Sequence, residues 1–337
     1  MKLLVVILNF RATQLTIDCL GTLAGRVGRV AGTRVTVCEN GSGGDAAERL
    51  RLAIEENGWG AWVDLVVSPT NGGFTGGNNL VVRAAMASAD PPEYLLLLNS
   101  DTLVPDGALE ALVDFMDRTP RAGIAGSQLV WPEGGAQGTP FRFPSWRTEL
   151  EAAMRLGPVS RVLRSPVSLV PKPRTATRVD WVAGASMILR RTMLEQVGLL
   201  DEGLFTYFDD VDLCLRAARA GWETWFVPES VVTHLEGGST GVAAHLRRRR
   251  PPYWFQARRR FWLKNHGPLY AALVDAAFIL GFASWRLRRR IQGAPDPDPP
   301  HMLADFVRHS VFVAGFRVED VLAPEMQPTA APSAGAA

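Results

Sequence analysis

The stretch Tyr94-Leu95-Leu96-Leu97-Leu98-Asn99-Ser100-Asp101-Thr102 is apolar through Leu98 and then turns polar at once. A short apolar run without polar alternation fits a strand buried on both faces of a parallel sheet. Three runs upstream, at 3–8, 34–38 and 63–67, are equally short and rich in Val, Leu or Ile. Between them, 13–26, 45–57 and 78–89 have helical character. The order β-α-β-α-β-α-β predicts right-handed crossovers and an α/β fold, with a mostly parallel central sheet flanked by helices.

The ends of these strands carry the first functional signal. The first ends in Asn9-Phe10, the second in Glu39-Asn40-Gly41-Ser42 and the fourth in Asn99-Ser100-Asp101, while Asn71-Gly72-Gly73 follows the third. In a parallel sheet these ends share one edge, where open α/β sheets bind ligands. Asn, Gly, Ser and Asp also favour ordinary turns. Four such ends in succession point to a polar crevice.

The rest of the chain is less regular. A strand is expected over 123–130, a long variable loop over 132–178 and a strand over 179–190. A short helix over 192–197, a helix over 209–220 ended by Gly221 and a strand over 222–227 follow. Residues 267–285 are nearly all apolar, flanked by Lys264, Arg286 and Arg288–Arg290. Their length approaches a membrane span, but Asp275 in the middle argues against spanning. Two readings stay open: a helix lying in the membrane interface, and a helix packed on the domain. Residues 293–300 and the tail from Gln327 have a disordered composition.

Composition narrows the class. The 337 residues are 47% hydrophobic, enough for a sizeable core, and the net charge is only +2. Arginines cluster at 247–250, 258–260 and 286–290. Such local basic zones suit a phosphate or an anionic membrane surface, and not a nucleic-acid coat. The three cysteines, Cys19, Cys38 and Cys214, are far apart with no CxxC. A disulfide framework or zinc site is not expected, and a reducing, cytoplasmic setting fits. The apolar opening is interrupted by Asn9 and Arg11 and reads as a strand rather than a signal segment.

Four constellations carry chemistry. Asp101, just past a buried strand, is placed to bind a divalent cation that also bridges a diphosphate, although a lone loop Asp is commonly a turn or cap residue. Asp209, Asp210 and Asp212 crowd a helix start. Capping explains one such acid; three suggest a base that takes a proton from an acceptor hydroxyl, kept ionised by the helix terminus. His234, between Thr233 and Leu235, reads alone as structural; as a metal ligand it would complement Asp101. The loop from Asn71 to Asn79 is glycine-rich and precedes a helix N-terminus, which attracts phosphate. It is neither a P-loop nor a GxGxxG.

In this order the pieces resemble glycosyltransferase family 2, with its GT-A fold, and most of all its bacterial rhamnosyltransferase-like members. The matching segments are Val5–Phe10, Val37–Ser42, Asn71–Asn79, Leu97–Asp101, Gly184–Arg191, and Phe205–Arg216 with its trailing Gly221-Trp222. The resemblance covers about residues 1–240, the expected catalytic domain. A basic, partly apolar helical extension over 241–292 and a Pro/Ala-rich segment over 293–337 would follow.

The resemblance implies an inverting, metal-dependent hexosyltransferase of cell-surface polysaccharide synthesis. Asn9, Phe10, Glu39, Asn71, Gly72, Asn78, Asn99 and Asp101 would hold the nucleotide-sugar. Asp101 and His234 would bind Mg2+ or Mn2+, and Asp210 would be the general base. Trp181, Gly184, Asp209 and Asp212 would face the acceptor. Two positions depart from the family pattern: Glu39 stands for its usual Asp, and Asp209 for its usual Glu. The implied donor is dTDP-rhamnose, and the acceptor a glycan or polyprenyl-diphosphate-linked hydroxyl. Peripheral contact with the inner face of the plasma membrane would suit such an acceptor. The alternative is a non-catalytic nucleotide-sugar binding or assembly protein.

Overall fold

The structure is a computed structural model that describes residues 1–138, 140–156, 173–235 and 248–321. Strands β1 (Leu3–Asn9), β2 (Thr33–Asn40), β3 (Val63–Ser68) and β4 (Tyr94–Asn99) pair in parallel, in the order β3-β2-β1-β4. Helices α1 (Thr13–Leu23), α2 (Ala46–Glu56) and α3 (Gly73–Met86) connect them. Leu3, Val5 and Ile7 enter one core layer, and Leu4 and Val6 enter the other. Both faces are therefore dry along β1, β2 and β4, which is why they show no polar alternation, while the edge strand β3 is partly exposed.

Beyond β4 the sheet is mixed. After the short β5 (Thr102–Leu103) comes helix α4 (Ala108–Arg118) and then β6 (Ala122–Val130). Strand β10 (Ser186–Arg190) lies antiparallel between β4 and β6, and β11 (Glu223–His234) runs parallel to β6. β5 and β8 (Thr177–Val179) pair antiparallel with β11.

The single strand expected over 179–190 is three pieces, β8, β9 (Trp181–Val182) and β10. The chain leaves the sheet at Asp180, whose carboxylate accepts from the Phe143 amide, and β9 pairs instead with β7 (Pro140–Phe141). The expected loop over 132–178 is likewise not all loop among its described residues. It holds β7 and helix α5 (Trp146–Met154), which opens with a reciprocal Ser145–Thr148 capping box. Helices α6 (Arg191–Val197) and α7 (Asp209–Arg219) come close to expectation.

Helix α8 (Pro252–Ile291) breaks at Gly267, whose φ of 81° is left-handed, ahead of Pro268. Its second half packs on α5: a side chain at Gly281 would meet Ala153 Cβ at 3.0 Å. Asp275, in the same half of the helix, is buried. It bonds Arg258 at 2.6 Å and the Val311 amide at 2.8 Å, and Arg258 also reaches Glu149 at 2.8 Å. The acid that interrupts the apolar run is thus half of a buried ion pair inside the domain.

Two expectations about this region are corrected. Arg258–Arg260 form no free basic zone. They pair with Glu149 and Asp275, with Glu319, and with Asp201 and Asp320 respectively. Residues 293–300 are ordered, because buried Asp298 accepts from Arg155 and from Trp285 Nε1. Helices α9 (Met302–His309) and α10 (Val311–Ala314) follow. Arg247 and the tail from Gln327 lie outside the described residues.

Candidate active site

The site is built on the carboxyl edge of β1 to β4. Buried Asn40 at the end of β2 donates to Asn71 Oδ1 and to the Gly73 carbonyl, both at 3.0 Å, and accepts from the Gly72 amide. Gly73 has φ 70°, and a Cβ there would meet the Phe205 carbonyl oxygen at 2.2 Å. The Thr75 amide also donates to that oxygen. Glycine is required here so that the first turn of α3 can close on segment 205–208. The helix begins at Gly73, so the glycine-rich loop is partly that first turn.

That segment is held in a rare conformation. Phe205, Tyr207 and Phe208 all have left-handed φ values, 53°, 68° and 62°. Non-glycine residues held this way mark places where the surroundings fix a strained chain, often at functional sites. Phe208 caps α7, and Asp209 and Asp210 open it.

Asp210 lines a cavity of about 650 Å3 together with Leu8, Phe10, Asn40, Asn71, Asn99 and Ser100. Phe141, Trp181, Tyr207, Tyr253 and Trp254 line the same cavity, as do Gly184 and Asp209. The strand-end edge and an aromatic wall thus share one cleft. Trp181 stacks on Phe141 with ring centroids 4.1 Å apart, and its Nε1 donates to the Arg142 carbonyl.

Burial pushes the Asp210 carboxyl up to about 6, against the pull of hydrogen bonds from the Val211 and Gly184 amides. Asp209 is raised well above the ordinary range, first by burial and then by the adjacent Asp210 charge. Desolvation thus works against the pull of the helix terminus, yet Asp210 at about 6 is still mostly ionised at neutral pH. Burial and the neighbouring Asp210 charge both favour the protonated form of Asp209.

Asp212 faces elsewhere. It is fully buried, and its carboxylate is taken up by Arg216 Nε at 2.8 Å, Lys264 Nζ at 2.9 Å and Asn265 Nδ2 at 2.8 Å. It does not line the cleft and ties α7 to α8. Asn9, Glu39, Gly72 and Asn78 do not line the cleft either. Asn9 accepts from Thr16 Oγ1, Glu39 from the Ser42 amide at 2.7 Å, and Asn78 donates to the Phe74 carbonyl. Asn40, Phe141, Tyr253 and Trp254 line it without having been singled out as site residues; only Asn40, the last residue of β2, had a signal in the sequence.

Asp101 and His234 meet at the far side of Asn99. Asp101 Oδ1 lies 3.4 Å from His234 Nε2, and Asn99 Nδ2 is 3.3 Å from the same nitrogen. A carboxylate oxygen and an imidazole nitrogen at this separation can share one cation with bonds of about 2.0–2.2 Å. Among the described residues no group of three or more His, Cys, Asp or Glu converges. The pair therefore fits an ion that completes its shell from substrate phosphates, as Mg2+ commonly does.

The description "glycosyltransferase-like family 2" matches residues 2–251. The chain belongs to that family. Among its relatives, the N-acetylglucosaminyl-diphospho-decaprenol L-rhamnosyltransferase of Mycobacterium tuberculosis is 34% identical over 164 residues, covering 46% of this chain and 51% of that one. The rhamnosyltransferase WbbL of Escherichia coli is 27% identical over 168 residues, covering 48% and 60%. The chain therefore spans only about half of these relatives. Among solved structures, the mannosyltransferase PcManGT from Pyrobaculum calidifontis, in complex with GDP-Man and Mn2+, superposes with a TM-score of 0.52 at 15% identity. It covers 93% of this chain and 83% of its own. Residues 1–349 of S. aureus TarS give 0.51 at 12% identity, with 92% and 81% covered. These likenesses establish the GT-A fold.

Proposed function

We propose that this family member is an inverting glycosyltransferase that moves a sugar from a nucleotide diphosphate-sugar to an acceptor hydroxyl. The observation that carries the reading is Asp210: a half-buried carboxylate, raised toward neutrality, in the cleft that also runs along the strand-end edge. A base with this pKa is ionised at pH 7 yet basic enough to accept a proton.

On the donor side, Phe10, Asn71 and Asn99 face the nucleotide-sugar, while Asn9, Glu39, Gly72 and Asn78 hold the loops that shape its pocket. Asp101 and His234 are the residues that would hold Mg2+ or Mn2+. When bound, the ion neutralises charge that gathers on the leaving nucleoside diphosphate. On the acceptor side, Trp181, Gly184 and Asp209 surround Asp210. Asp210 takes the proton of the acceptor hydroxyl as its oxygen attacks the anomeric carbon. The bond to the diphosphate breaks on the opposite face, which inverts the centre.

The names of the two rhamnosyltransferase relatives support rhamnose as the donor sugar, and dTDP as its carrier rests on the family resemblance. The mycobacterial relative's name supports a lipid-diphosphate-linked acceptor. The enzyme then works in the cytoplasm, seated peripherally on the inner face of the plasma membrane. Leu269, Leu273, Leu280, Leu287 and Ile291 support this. All are exposed, Leu269 at 87% and Ile291 at 76%. At about 100° per residue they fall within roughly 40° of one another, in a stripe about 33 Å long opposite the buried Ala271. Arg286 and Arg290 are exposed toward its end. A narrow apolar stripe with arginines beside it suits a helix lying in an anionic interface.

The test is nucleotide release from a panel of nucleotide-sugars, with and without Mn2+ or Mg2+, for wild type, Asp210→Asn and Asp101→Ala. Metal-dependent release from one donor, lost in both variants, is expected. Nucleotide binding without turnover for any donor or acceptor would favour the non-catalytic alternative.

A further inference from the structure

His234 is gripped twice by one side chain. Gln137 Nε2 donates to the His234 carbonyl at 2.6 Å, and Gln137 Oε1 lies 2.9 Å from His234 Nδ1. The first contact fixes which way the amide faces, because a carbonyl only accepts. The amide oxygen must then face Nδ1, and an oxygen there calls for a proton on that nitrogen. In the neutral ring the lone pair is left on Nε2. Asn99 Nδ2 approaches Nε2 as a donor, which agrees.

The consequence reaches Asp101. With its lone pair on Nε2, the imidazole presents an acceptor to a carboxylate oxygen 3.4 Å away. Two acceptors facing each other repel, and a cation placed between them turns the repulsion into coordination. Gln137 itself is anchored from the sheet, since its amide donates to the Leu129 carbonyl of β6 at 2.9 Å.

We infer that Gln137 is a positioning residue that sets the His234 tautomer and so makes His234 Nε2 a metal ligand. This deepens the metal reading of Asp101 and His234 and rests on it. Outer partners of ligating histidines act in this way, and removing one weakens metal affinity about 10- to 100-fold.

The test uses the full chain and Mn2+ itself, titrated with dTDP or UDP present, for wild type, Gln137→Leu and Gln137→Glu. Nitrogen-15 NMR of labelled histidine reads the His234 tautomer in the metal-free protein. Wild type should show a protonated Nδ1 and bare Nε2. Gln137→Leu should lose that preference and bind Mn2+ about 10- to 100-fold more weakly. Gln137→Glu keeps an acceptor for Nδ1 and should stay closer to wild type on both readouts. Wild-type affinity in Gln137→Leu, or a wild-type His234 with both nitrogens protonated at pH 7.5, would overturn the inference. If wild type takes up no Mn2+, the metal reading itself falls and this inference with it.

Discussion

The backbone amide of Gly184 donates to Asp210 Oδ2 at 3.3 Å. The contact joins the break between β9 and β10 to the first turn of α7. It aims the carboxylate along the cleft wall while the Val211 amide holds the other oxygen at 2.8 Å. Two backbone donors partly offset the burial of this charge without fully relieving it.

Replacing Asp210 by Asn should therefore separate activity from stability. Loss of a general base is expected to lower kcat about 10^2- to 10^4-fold. The folded Asp210 binds its proton more tightly than the unfolded chain does, with its carboxyl raised from 3.8 to about 6. Stability then falls as pH rises through that window, and the whole cost is present above it. Asp210→Asn removes the cost and should raise stability at pH 7 by up to roughly 3 kcal/mol. Urea melts at pH 7 and pH 4 would check this: the gain should shrink at the lower pH.

The same carboxyl sets the acid limb of the rate profile. With the base ionised only above its pKa, kcat/KM should drop below about pH 6 and level off above it. A profile flat down to pH 5 would remove Asp210 from the role.

Gly73→Ala tests the closure of α3 on segment 205–208. A methyl group would sit 2.2 Å from the Phe205 carbonyl oxygen in a left-handed backbone. The variant should lose more than about 1 kcal/mol of stability and bind nucleotide more weakly. Gly43→Ala is the control: it shares the left-handed φ, but its Cβ would meet nothing within 4 Å. It should melt nearer wild type.

Asp212→Asn addresses a different role. Its carboxylate is fully buried against Arg216, Lys264 and Asn265, away from the cleft. Breaking a buried ion pair commonly costs about 3–5 kcal/mol; partial exposure of Lys264 puts this one toward the lower end. Thermal and urea melts should shift, while KM for the donor stays near wild type. A changed KM at unchanged stability would return Asp212 to the acceptor side.

The double change Leu280→Glu, Leu287→Glu tests the exposed stripe. Co-sedimentation with phosphatidylglycerol vesicles should fall at least tenfold, since each leucine leaves an apolar contact and each glutamate repels the lipid charge. Turnover of a water-soluble acceptor should be unchanged. Equal binding of wild type and variant would dismiss this face as the contact surface.

The four apolar runs and the polar turns that end them determine the parallel half of the fold and its polar edge, and the acids after Phe208 mark the helix start that faces it. Strand burial and turn chemistry are local properties, written in consecutive residues, so they can be read from the chain directly. What joins that edge to Tyr253, Trp254 and Phe141 was decided by tertiary structure alone, because those rings are brought in by helices and strands more than 40 residues away in sequence from Asp210. Residue identity likewise could not separate Asp210, which faces the cleft, from Asp212, which is locked against Lys264. Both stand in the first turn of one helix, about 200° apart around its axis, and only the packing of α8 decides which side is solvent-facing cleft and which is interior.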